Sequence, residues 1–566
     1  MQPCSTSSLP SPAGSVTVVR IHDGKSQHVD YLEMTTTAHT LPVSAANGPK
    51  ISLFTAVRQN PRLSLLSLWL MLIFLLYGYE LVFLGSIASL PGFQAVFGVP
   101  QKTSATGFII PTSWLSIWSV SGPLGNMIGA FFSGWSQEKI GRRPILGLSG
   151  IIQAATVAIC YLADQAPSDY GRRSLYFVGK FTQGIAVGSI LCVAQTYVSE
   201  VLPPLLRGPT LAWPSIFTVL GEIIGAVIIR SRVDVAGPES YRVPIAGQWA
   251  FSAIPVLLVI FLPESPAWLL RKGKEDAAVK ASRKLQGSRA QASSGDQVMG
   301  YLREALALET AESASRLEHS YLDCFRPAHG NLRRTAIVIF TNFIPQLFGL
   351  AFLGHLTYVL EVTGMPASTA SSWFTGGAVL SLVTNLVALW LLTKVERRLM
   401  LLSTLGFIWL MWLMAGIAGV FHGVASSWVL AAAAMLVNAA ASLGAWPVSN
   451  IVAAEVSSLS LRAQTQGISV FAHSAVTVIF SSVLPYLYNS TAANLGGKIG
   501  FIYVGFITIG IVVSWWIIPD MKDRTPAEID EMFEIGLPAR KFKQYSSPSV
   551  DEKSARVSGI ECVPSQ

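Results

Sequence analysis

The residues of this 566-residue chain that could do chemistry are few, and the most informative are charges in apolar surroundings. Glu80 stands in the middle of a run at 65–90 that is otherwise apolar. Burying a carboxylate in its ionised form costs several kcal/mol unless it pairs or takes up a proton, so Glu80 is a candidate proton carrier. Lys180 interrupts a second such run at 174–199, and Glu222 adds another titratable group to a third at 209–231. Gln346, Ser215, His355, Asn385, Asn450, His473 and Ser474 are the other polar candidates in runs of this kind. Each of these can hydrogen-bond a neighbouring helix or the hydroxyl groups of a ligand. No covalent chemistry is suggested, so an enzyme is not expected. Five Cys, at 4, 160, 192, 324 and 562, make neither a ligand spacing nor a bridge framework. With no CxxC motif and no His cluster, neither metal nor cofactor is expected.

The elements that must position these groups follow from composition. The chain is 51% hydrophobic and 13% charged, about half the charge of an ordinary soluble domain. Its mean hydropathy is +0.49. A membrane span needs about 20 mostly apolar residues. Twelve stretches qualify: 65–90, 111–135, 144–163, 174–199, 209–231, 245–262, 335–360, 371–393, 399–421, 428–453, 466–488 and 500–518. They predict an all-α integral membrane protein with a tail at 1–63, six spans in 64–262, a polar loop at 263–334, six spans in 335–518 and a second tail at 519–566. An even number of spans puts both tails on one side. Lys139, Arg142, Arg143, Arg207, Arg271, Lys272, Lys394, Arg397, Arg398 and Arg462 fall on that same side, which predicts that it is cytoplasmic. The net charge of +8 therefore reads as a topology signal and not as a nucleic-acid surface. Asn489-Ser490-Thr491 becomes an extracytoplasmic glycosylation sequon beside a helix end. Small residues every four positions, Ser121, Gly125, Gly129 and Ser133, with Gly184 and Gly188, predict close helix packing.

Motifs recur in the two halves. Gly134-Trp-Ser-Gln-Glu138-Lys139-Ile-Gly141-Arg142-Arg143 lies between the second and third spans, and Thr393-Lys394-Val-Glu396-Arg397-Arg398 lies in the equivalent place of the second half. The first string resembles the G-x-x-x-D-R-x-G-R-R loop of the major facilitator superfamily, with Glu138 and Lys139 in place of Asp and Arg. Glu200-Val-Leu-Pro203-Pro-Leu-Leu-Arg207-Gly208, Pro263-Glu264-Ser265-Pro266-Ala-Trp268-Leu269, Glu455 with Leu461-Arg462-Ala463, and Pro519-Asp520 through Phe533 resemble the sugar porter family. Gly78-Tyr79-Glu80, Arg242-Val-Pro244 with Gln248-Trp249, and Gln346-x-x-Gly349-x-x-Phe352 with Thr357-Tyr358 and Glu361 are most similar to fungal α-glucoside (maltose-type) permeases.

That resemblance implies the major facilitator fold, two six-helix bundles around a midplane cavity, moving a sugar across the plasma membrane by alternating access with proton symport. Glu80 falls at the family's proton-coupling carboxylate. Lys180 falls where the family has an Arg that answers it, a poorer fork for carboxylate. Gln346 keeps a sugar-binding Gln, while Glu222, Ser215, Asn450 and Ser474 depart from the family's residues and join His355 as substrate candidates. Glu138, Lys139, Arg142 and Arg143 are implied to gate, pairing with the partner half in the outward-open state. Glu200, Arg207, Arg397, Arg398, Glu455 and Arg462 are candidates for the same salt-bridge latch. The expected partners are a sugar or related solute, a proton and membrane lipid. The altered pocket keeps two other readings open: a carrier of a polyol, quinate-like acid or specialised product, and a transporter-like sugar sensor.

Overall fold

The computed structural model describes residues 61–101, 106–201, 213–235, 237–286, 321–327, 330–421, 423–457, 461–522, 524 and 526–545. Twelve long helices dominate these residues: α1 Arg62–Ile87, α2 Thr112–Ile140, α3 Arg142–Leu162, α4 Asp169–Val201, α5 Trp213–Arg230 and α6 Glu239–Phe261, then α7 Asn331–Gly354, α8 Ala367–Lys394, α9 Arg397–Ala418, α10 Ala425–Val456, α11 Arg462–Tyr488 and α12 Ile499–Ile517. Eleven are apolar and long enough to cross a membrane. The remaining one, α2, is a 29-residue helix diluted by Ser, Gly and a polar last turn. It tolerates that composition because it packs against α4 on one side and α11 on another. Several helices run past the apolar runs: the tenth span, expected at 428–453, extends over Ala425–Val456. An apolar count registers the hydrocarbon segment, whereas hydrogen-bonded turns continue into the polar interface.

Helices α1–α6 form one bundle, in which α2 and α3 flank α4 and α1 meets α5; helices α7–α12 form the other, in which α9 meets α10 and α12 and α7 meets α10 and α11. Contacts between bundles run through α2 with α11, α5 with α8 and α1 with α7. The small-residue stripe acts where it was expected. A Cβ on Gly129 would sit 2.0 Å from the Ile185 carbonyl oxygen and one on Gly184 2.4 Å from that of Gly122, so α2 and α4 touch backbone to backbone. Two local breaks matter for the site. Helix α7 loosens at Gly349, whose φ of 98° is left-handed, and continues as Leu356–Val362. Helix α10 carries a wide turn at Ala441–Ala445.

We call the side on which α1 begins and α12 ends the tail side, and the other the far side. The C-terminal segment does not leave the bundle at residue 519. A short helix, Pro526–Glu534, and a 3-10 turn, Ala539–Gln544, fold back over the tail side of the second bundle with Ile529, Met532, Phe533 and Phe542 buried.

Candidate functional site

Glu80, central in α1, meets α4 and α6 in the first bundle. Its Oε2 accepts from Lys180 Nζ at 2.5 Å, and its Oε1 accepts from Gln183 Nε2 at 2.8 Å. Lys180 Nζ also donates to Gln183 Oε1 at 2.7 Å and lies 4.8 Å from the Phe83 ring centroid. Gln183 Nε2 reaches Gln248 Oε1 on α6 at 2.6 Å. The Lys180 residue is only 5% exposed, so the ion pair is largely desolvated. Removing the charge from either member leaves the other buried and uncompensated, a large penalty. The pair, with the Gln183 amide bridging both members, ties α1 to α4. Gln183 and Gln248 were not singled out as site residues by sequence, because a lone Gln in a span carries no periodic signal.

The other polar candidates are dispersed. Gln346 Nε2 donates to Thr477 Oγ1 on α11 at 2.9 Å, while its Oε1 is buried with no partner among the described residues. Glu222 on α5 is 7% exposed and makes no hydrogen bond or ion pair among the described residues. Ser215 donates to Asn385 Oδ1 of α8 at 3.3 Å, across the two bundles. His355, at the break in α7, lies 3.3 Å from Ser119 Oγ of α2 through Nε2, and its Nδ1 is buried without a partner among the described residues. Ser474 is half-buried on α11, and Asn450 is exposed on α10. The structure thus brings Gln346, Glu222 and His355 into buried helix seams and leaves Ser215 and Asn450 exposed.

The tail-side charges pair within their own bundles. Gly141, with φ 113°, breaks α2 from α3 and lets Arg142 turn inward. Arg142 is 1% exposed; it donates to the Gln137 carbonyl at 2.9 Å, to Glu138 at 2.5 Å and to Glu200 at 2.8 and 3.1 Å. Arg271 also binds Glu200, and Glu264 accepts the backbone N–H groups of Arg142 and Arg143 at 3.0 and 3.2 Å. Arg143 donates to the Val259 carbonyl at 2.7 Å, and Lys139 lies 4.0 Å from the Trp135 ring on its own helix. In the second bundle Arg397 donates to Glu455 at 2.7 Å, and Arg398 donates to the Trp515 carbonyl at 2.7 Å. Arg207 and the Arg462 side chain lie outside the described residues. The pairing with the partner half implied by the resemblance is not what these charges make here. Outside the spans, Lys543 binds Glu396 and holds its carboxyl below the usual range, whereas burial raises that of Asp520.

The far side, by contrast, is sewn shut between bundles. Gln94 Nε2 donates to both Glu361 oxygens at 3.0 and 3.1 Å, Thr112 meets Thr491 at 2.6 Å, and Ser116 donates to the Ser482 carbonyl at 2.6 Å. Asn489, fully buried, donates to the Ile110 carbonyl at 3.1 Å, so the sequon is closed to a glycan in this state. Cross-bundle bonds at one end with in-bundle ion pairs at the other describe a molecule closed on its far side.

The sugar (and other) transporter family matches residues 67–533. The chain is 27% identical over 476 residues to "MFS transporter fmqE" of Aspergillus fumigatus, covering 82% of this chain and 85% of that protein. It is 28% identical over 503 residues to a general alpha-glucoside permease of Saccharomyces cerevisiae, covering 87% and 78%. In fold it is similar to the xylose transporter XylE of E. coli in a partially occluded inward-open conformation, with a TM-score of 0.66 and 18% identity over 82% of this chain and all of that one. The chain is a multi-pass membrane transporter of the major facilitator fold, not an enzyme, and belongs to the sugar (and other) transporter family.

Proposed function

We propose that the chain carries an α-glucoside such as maltose, together with a proton, across the plasma membrane by alternating access of its two bundles, with both tails cytoplasmic. The observation that supports this most is the buried Glu80–Lys180 pair, bridged by Gln183. A proton arriving on Glu80 dissolves the ion pair and lets α1 part from α4. Its loss to the tail side restores the pair. Gln346, with one unpartnered buried oxygen, offers its amide to a sugar hydroxyl, and Glu222, Ser215, His355, Asn450 and Ser474 complete the candidate set. The alpha-glucoside and maltose permeases among the relatives support the substrate class. One proton crossing 100 mV yields about 2.3 kcal/mol, which sustains roughly fiftyfold accumulation at about 1.4 kcal/mol per tenfold.

Uptake of labelled maltose, glucose and a polyol in transporter-deficient cells, with and without a proton uncoupler, tests the reading. Glu80→Gln is expected to keep exchange and downhill flux while losing uphill uptake. Unchanged uphill uptake removes Glu80 from its role. A second reading, transport of a non-sugar metabolite, is favoured by Glu222, a buried carboxylate without a hydrogen-bond or ion-pair partner among the described residues, which suits a solute rich in hydrogen-bond donors. Absence of maltose and glucose uptake by a correctly inserted protein would select it.

A further inference from the structure

The last turn of α12 and the segment that folds back over it gather positive charge on exposed indole rings. Trp515 and Trp516 are 49% and 65% exposed, at the polar end of an apolar span. The Arg540 guanidinium lies 4.4 Å from the Trp516 ring centroid and 5.3 Å from that of Trp515. Arg398 approaches the same Trp515 ring at 5.0 Å. Two guanidinium groups thus share one indole, and exposed Lys541 stands beside them. The side chains of Arg540 and Lys541 make no hydrogen bond or ion pair among the described residues. Of the nearby acids, Glu396 is bound by Lys543, and Asp520, whose Oδ1 accepts from the Lys522 backbone N–H at 3.2 Å, offsets part of the Arg398 charge and leaves Arg540 and Lys541 unanswered among the described residues. The segment is fixed in place, because Phe542 is fully buried, with its ring 5.2 Å from that of Phe533.

Like charges held this close repel unless an anion joins them. Stacked on an aromatic face, the Arg540 guanidinium keeps its N–H edge available for a planar, bidentate phosphate contact, while Arg398, which donates one N–H to the Trp515 carbonyl at 2.7 Å, adds its charge. Exposed Trp at a span's end places this edge at headgroup depth. We propose that Arg398, Arg540 and Lys541, on the Trp515–Trp516 platform, bind the phosphate of an anionic lipid headgroup in the tail-side leaflet. The lipid then staples the C-terminal segment to α9 and α12.

The test is native mass spectrometry of the full-length protein in detergent with equal amounts of phosphatidylserine and phosphatidylcholine. Preferential retention of phosphatidylserine is expected, on the order of a hundredfold, since each of the three basic residues contributes about fivefold at an anionic surface. The double variant Arg540→Ala, Lys541→Ala, which alters only exposed side chains, is expected to lose most of that preference with an unchanged size-exclusion profile. Equal retention of both lipids by the wild type, or an undiminished preference in the variant, overturns the proposal. Displacement of phosphatidylserine by an equimolar amount of inorganic phosphate also overturns it, assigning the face to a soluble anion.

Discussion

The two bundles carry the same ion pair at the same spacing, Arg142 with Glu200 and Arg397 with Glu455, each 58 residues apart. The arginines that follow them repeat as well: Arg143 donates to the Val259 carbonyl and Arg398 to that of Trp515. Yet the two centres are finished differently. Around Arg142, Glu138, the Gln137 carbonyl, Arg271 and Glu264 complete a network. Around Arg397, Thr393 stands where the first bundle has Glu138, and Arg397 Nε and Nη1 and Glu455 Oε2 have no partner among the described residues. The second bundle instead draws on the returning C-terminal segment. Lys522 donates to the Lys394 carbonyl at 2.7 Å, Lys543 binds Glu396, and Arg334 binds Asp530. One bundle is locked by its own charges and the other by a strap. A repeated motif therefore specifies a pair, while its neighbours decide how much that pair holds.

The difference can be broken from the first bundle. Arg142→Ala empties a site in which Arg142 is 1% exposed and leaves Glu200, 11% exposed, with Arg271 alone, a loss of about 3 kcal/mol, read as a lowered thermal midpoint of the detergent-solubilised protein. If Arg397→Ala proves as damaging, the contrast between the centres is wrong. Phe542→Ala comes next. Truncating a fully buried ring costs about 3 kcal/mol and is expected to release residues 521–545, seen as faster hydrogen exchange confined to that segment and the α8–α9 junction. An equal acceleration in α2 and α3 would show that the strap serves both bundles. Arg397→Ala itself is expected to cost only about 1 kcal/mol, since its side chain is 18% exposed and singly paired.

The smallest effect is a pH dependence of the strap. Glu396 is depressed by Lys543 from its ordinary 4.5, so its contribution is present above 4.5 and fades as pH falls through the lower folded value. Lys543 is raised from 10.5, so its part is complete below 10.5 and fades as pH rises through the higher folded value. Burial raises Asp520, which works the other way and favours the folded strap as acid protonates it, blunting the acid limb. Protection of the strap, relative to the intrinsic exchange rate at each pH, is expected to be greatest between these limits, and Glu396→Gln should abolish the acid limb while leaving α2–α3 protection unchanged.

Much of this was legible beforehand. The twelve spans, the repeat and the likeness to sugar porters came from apolar runs and ordered motifs, and Glu80 and Lys180 stood out because a charge in such a run is rare. Less legible was the company these residues keep. Gln183 and Gln248 complete the Glu80 centre from α4 and α6, and nothing in their spacing distinguishes them from packing residues. Asn450 and Ser449 are adjacent, yet Ser449 is buried and Asn450 exposed, because successive residues of a helix with 3.6 residues per turn face different ways and only packing decides which face is covered. The gate residues were identified as a group, but their in-bundle pairing belongs to a state closed on the far side, and sequence does not choose between states.

The sequence by itself determined that the chain lives in lipid, that it folds as two related sets of helices, and that a very small number of charges sit where they must be answered. Tertiary structure alone decided which groups answer them, which of two matching ion pairs is saturated, and that the C-terminal segment closes the second bundle. The physical reason is one of range. Hydrophobic burial is additive along a segment and is written in local composition, whereas a hydrogen bond depends on distance and angle between atoms brought together from helices more than a hundred residues apart, as Glu80 and Gln183 are.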